Sequence, residues 1–140
     1  MLSLDPWLER LEAATLPAPV ELAANLKAAQ ETRRVPGVQL VPGRDRVTHQ
    51  KRIPNPRHKV TTEVILVTAV ARYGSARMGH GKDALAELRE PVLRSLIHWM
   101  PPGAEIAIRW NGGNLLTLND HALFYADVLA TDYWWKEMTP

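Results

Sequence analysis

Leu85-Ala86-Glu87-Leu88-Arg89-Glu90-Pro91-Val92-Leu93-Arg94-Ser95-Leu96-Ile97-His98-Trp99-Met100-Pro101-Pro102 is the stretch on which the fold turns. Leu85, Leu88, Val92, Leu96 and Trp99 recur at steps of three and four, the apolar stripe of an amphipathic helix. The helix is predicted from about Gly79 and stops at the paired prolines. Pro91 inside it should kink the helix or begin a new turn. Beyond the prolines the period changes to two: Ile106, Ile108 and Trp110 alternate with Glu105, Ala107 and Arg109. A helix laid over an antiparallel sheet buries both patterns at once.

Working outward, Asn111-Gly112-Gly113-Asn114 reads as a hairpin turn between strands 104–110 and 115–118. Asn119-Asp120-His121 reads as a second turn. The closing strand, 122–133, would point Phe124, Ala126, Val128 and Ala130 inward. Upstream, Val60 to Arg72 is the strongest strand signal. Its centre, Val64-Ile65-Leu66-Val67, is apolar on both faces, as a doubly covered strand requires. With one helical layer foreseen, another subunit is the expected second cover. Tyr73 to Gly81 reads as a loop.

At the amino end, Asp5 is read as the cap of a first helix and Pro6 as its first residue. Trp7, Leu8, Leu11 and Ala14 form its stripe, and Pro17 and Pro19 stop it. A second helix is predicted over 20–30, with Leu22, Leu26 and Ala29 on one side. A short strand, 38–41, is read as ending at Pro42-Gly43. The result is one α/β (α+β) domain over 1–140. Its antiparallel or mixed sheet has four to five strands, packed by two to three helices.

Charge is segregated. Arg33 to Lys59 holds eight Lys or Arg against one acid, Asp45, while the remaining chain holds nine bases and fourteen acids. A segment of +7 is mounted on a body of −5. Prolines 54 and 56 and the lack of periodicity mark 43–59 as a projecting arm. It contains no Phe, Tyr or Trp, so the stacking platform of single-strand binders is missing. Docking on an acidic protein surface suits it better. The candidate contacts are Arg44, Arg46, Lys51, Arg52, Arg57 and Lys59.

Chemistry is hard to assemble from this sequence. There is no cysteine. His49, His58, His80, His98 and His121 show neither HxH nor HxxxH spacing, so no metal site is expected. Gly79-His80-Gly81-Lys82 lacks the phosphate-loop spacing, and Asp83 follows it. Asp120-His121 reads as turn chemistry, and Ser3, Ser75 and Ser95 sit in no nucleophile elbow. No catalytic residue and no cofactor are expected. No signal peptide is seen, and the apolar run 64–71 is too short to span a bilayer. Trp134-Trp135 is different: neighbours on a strand face opposite ways, so at most one indole enters the domain's own core. Trp110, Tyr125, Tyr133, Trp134 and Trp135 are the candidate subunit-interface residues.

Three motifs in order carry a family resemblance: Leu96-Ile97-His98-Trp99-Met100-Pro101, Gly112-Gly113-Asn114-Leu115 and Ala130-Thr131-Asp132-Tyr133-Trp134. They resemble the tail terminator proteins of long-tailed bacteriophages, Mu-like and lambda-like. His98 stands where that family commonly has glycine. The resemblance implies a virion protein assembled in the host cytoplasm. It would form a hexameric ring on the head-proximal end of the tail tube, stop tube growth and dock the neck. Its implied partners are further copies, the tail tube protein, a neck or head-completion protein and, in a contractile tail, the sheath. Membrane and specific nucleic-acid contacts are not implied. Two other readings use the same residues: a neck or tail-completion ring protein, and a small nucleic-acid-binding domain using 33–59.

Overall fold

The computed structural model describes residues 2–31, 35–49, 58–71, 78–118 and 122–135. The chain runs α1 (Asp5–Ala13), β1 (Val20–Leu22), α2 (Leu26–Gln30), β2 (Gly37–His49), β3 (His58–Ala71), α3 (Met78–Leu96), β4 (Arg109–Leu118) and β5 (Ala122–Trp135). The strands form one mixed sheet, ordered β1-β2-β3-β5-β4. β1 runs parallel to β2, and the other pairs are antiparallel. The α+β class and the three-helix count follow the sequence reading.

The long helix forms where its stripe demands and continues through Pro91 to Leu96. It begins at Met78, so Met78 to Gly81, expected as part of a loop over Tyr73 to Gly81, are helical; Tyr73 to Arg77 lie outside the described residues. Leu88, Val92 and Leu96 join Trp7 and Leu11 of α1 over Val38, Leu40, Val64, Leu66, Leu123 and Leu129 of the sheet. Past Leu96 the chain turns at His98, whose φ of 70° lies in the left-handed region that glycine adopts most readily. The His98 N–H donates to Ile108 O at 2.9 Å, and the Ile108 N–H donates to Trp99 O at 2.8 Å. These bonds fold 104–108 back under the helix end.

Several expectations fail, each for a packing reason. Asp5 is the first helical residue rather than the cap, and Ala14 is exposed. The helix predicted over 20–30 divides. Val20–Leu22 pairs with Val38–Leu40 as an edge strand. Asn25 then caps a five-residue helix by accepting from the Ala28 N–H at 2.8 Å. This short helix matters: Ala29, with Leu26 and Ala23, packs on Val41, Val67, Ala69, Ala122 and Phe124. The second cover of β3 at Val67 therefore comes from the same chain, not from another subunit as expected.

β2 does not end at Pro42. A register shift between Pro42 and Asp45 lets it bend and pair onward, His49 opposite His58. Arg44 to His49 and His58-Lys59 are thus sheet rather than structureless arm; 50–57 lies outside the described residues. The hairpin at 111–114 is also overturned. Arg109–Leu118 is a single strand on β5, with its register shifted between Trp110 and Gly113 and again between Leu115 and Thr117. Residues 104–108 are held instead by Glu105 N–H to Asp132 O (2.7 Å) and Thr131 Oγ1 to Ile106 O (2.6 Å). Of the alternation read there, Ile108 is buried while Trp110 stays 46% exposed. In β5 both parities are used: Phe124 meets α2, and Leu123 and Leu129 meet α1 and α3.

Candidate interaction surface

On the α3 side, Asp127 is fully buried in the middle of an apolar strand. Arg89 of α3 reaches it with two bonds of 2.7 Å, and the Trp110 indole N–H adds a third at 3.0 Å. The guanidinium lies 4.6 Å from the Tyr125 ring centre and 5.3 Å from that of Trp110. The hydrogen bond to Asp127 holds the Arg89 pKa above its ordinary value, against a smaller opposing effect of burial. Removing one member of such a pair costs about 3–5 kcal/mol, because the other is left buried and unpaired. The result is a rigid mount for a half-exposed indole.

The opposite sheet face carries the second cluster, beyond the area covered by α2. Asp132 accepts from Thr61 Oγ1 at 2.8 Å and from Arg109 Nη2 at 3.3 Å, with Lys59 Nζ at 3.5 Å. Burial alone would push the Asp132 pKa up; the Thr61 bond and the charges of Arg109 and Lys59 outweigh it and hold the pKa below its ordinary value. Next to it, Glu63 is approached by Arg44 at 3.4 Å and Arg46 at 3.8 Å. Those two arginines are about two-thirds exposed, so their pairing adds little stability and leaves them presented to solvent. Lys59 also lies 5.9 Å above the Trp134 ring.

The predicted residues thus divide. Arg44, Arg46 and Lys59 are brought together on one face, whereas Lys51, Arg52 and Arg57 lie outside the described residues, as does the turn at Asn119-Asp120-His121. Trp134 is half-buried under Lys59. Trp135 is 49% exposed and meets His58 edge-on at 5.9 Å. Tyr133 is a correction: it faces the α3 side opposite Val60, is only 8% exposed, and offers no ring to a partner. Its burial, and then the Asp45 carboxylate, raise its pKa. The sequence reading missed Arg89, Asp127 and Asp132. A lone acid between Phe124 and Leu129 was the available signal, since a charge in an apolar strand requires a partner.

Among the described residues no three His, Asp or Glu side chains gather as a metal site, and no helix is long and apolar enough to cross a membrane. What the fold does present is fixed charge and half-exposed indoles on a stiff sheet, the equipment of a contact module. The profile of the phage tail terminator protein family matches residues 1–138, and the chain belongs to that family. It is a family of structural virion proteins rather than enzymes, which gives this chain a structural role in the phage tail. No curated protein matches the chain.

Proposed function

We propose that the protein forms a ring on the head-proximal end of the tail tube, stops tube polymerisation there and presents its far side to the neck of the filled head. Capping is competition for a surface: the ring occupies the face on which the next tube layer would add. Its own outer face must then refuse tube subunits. Family membership supports the tail role, and the observation that carries the contact role is the exposure of Trp110 and Trp135, 46% and 49%, on a sheet that also leaves Val47 and Leu115 exposed. Arg44, Arg46 and Lys59, continued in sequence by Lys51, Arg52 and Arg57, form the charged contact set toward the tube or an adjacent protomer.

The test is electron microscopy of purified tail tubes mixed with the protein. The expected result is ring density on one end of each tube and an arrest of elongation when tube subunits are added. Binding along the tube wall, or to filled heads with bare tube ends, would reject the proposal.

A further inference from the structure

The two faces of the sheet carry opposite charge. On one face, beyond α2, Arg44, Arg46, Lys59 and Arg109 outnumber Glu63 and Asp132. On the other lies the helical layer, where Glu9, Glu12, Glu87 and Glu90 are all exposed. Among the described side chains of α1 and α3, the exposed acids Asp5, Glu9, Glu12, Glu87 and Glu90 outnumber the exposed cations Arg10 and Arg94; Arg94 offsets Glu90 at 2.8 Å, and Arg10 donates to Ser95 O while lying 4.8 Å from the Trp99 ring centre. Arg89 is consumed by Asp127. The helical layer is left net negative and the bare half of the sheet net positive, with the half-buried Trp134 as an apolar floor to the latter.

A molecule with complementary charge on opposite faces attracts its own copies front to back. Such a contact is heterologous, and a heterologous contact closes into a ring when its rotation allows. We infer that neighbouring copies meet in this way: the Arg44–Arg46–Lys59 face of one subunit against the Glu9–Glu12–Glu90 layer of the next. The inference rests on the ring reading and assigns the basic face to a second copy rather than to the tube. Charge supplies orientation and encounter rate in such a contact, and salt weakens it.

Charge exchange tests it, with assembly read by light scattering and microscopy across protein concentration. One variant carries Arg44→Glu and Arg46→Glu; another carries Glu9→Lys, Glu12→Lys and Glu90→Lys. All five positions are exposed, and circular dichroism confirms that each variant is folded. Each alone should need roughly 10-fold more protein to assemble, since like charges face each other at every contact. An equimolar mixture should recover, because alternating copies restore attraction at every contact; a protein carrying all five changes should recover as well. Rings from the arginine variant at the ordinary concentration, or no recovery in the mixture, would overturn the inference and leave the ring reading intact. If the unaltered protein stays monomeric both alone and on tube ends, the ring reading falls first and takes the inference with it.

Discussion

Asp127 and Asp132 lie on the same strand, five residues apart, and therefore on opposite faces of the sheet. Each is buried, and each is bonded by side chains from other elements. For Asp132 the sign of the pH effect follows from its lowered pKa. A depressed carboxylate stabilises the fold above its unfolded value of 3.8, and that contribution disappears as pH falls through the lower folded value. Asp132→Asn should therefore cost about 1–3 kcal/mol near neutral pH, the range for hydrogen bonds to a charged group. The gap between variant and parent should narrow in strong acid. Urea denaturation midpoints at about pH 7 and about pH 2.5 measure both quantities; a gap that does not change with pH would assign the loss to packing instead.

At the scale of elements, the Gly112-Gly113 pair shows how local chemistry can be read correctly and placed wrongly. Both glycines are needed, yet for a bulge rather than a turn. Gly112 has φ of 103°, a conformation that L side chains rarely adopt, with open space around it. Gly113 has no room: an added Cβ would collide with the Asp127 carboxylate and lie 2.7 Å from both Ala126 O and Tyr125 Cε1. Gly113→Ala should therefore cost about 1–3 kcal/mol by overpacking, and Gly112→Ala a similar amount, about 1–3 kcal/mol, by backbone strain. Chemical denaturation compares the two. Only the Gly113 variant should also shift indole fluorescence, because it pushes on the Asp127 carboxylate that holds Trp110. The same lesson covers α2. Its alanines are too small to announce a buried face, and Ala29 becomes core only because β2, β3 and β5 present Val41, Val67 and Phe124 beneath it.

For the whole molecule, the proposed ring contact gives the adjacent indoles of Trp134 and Trp135 a testable part. They point to opposite faces, one beneath Lys59 and the other against His58. Changing both to alanine should leave the cooperative fold in place, since neither is part of the buried core. The double variant should nevertheless stay monomeric at concentrations where the parent forms rings, as judged by multi-angle light scattering. Rings of normal size from it would remove these residues from the subunit contact.

The sequence by itself determined the α+β class, the long helix, the strong β3 and β5 strands, the missing thiols and the segregation of charge. Each of these is written in periodicity or composition within one segment, and needs no knowledge of what lies across the fold. Only the tertiary structure decided the rest. It made β2 run through Pro42 as a bent strand, turned the glycine pair into a bulge, set Arg89 on Asp127 across 38 residues and buried Tyr133. Those outcomes depend on which residues become neighbours when separate segments pack. A buried charge, a bulge or an exposed indole is defined by its surroundings, and the surroundings exist only once the sheet has closed.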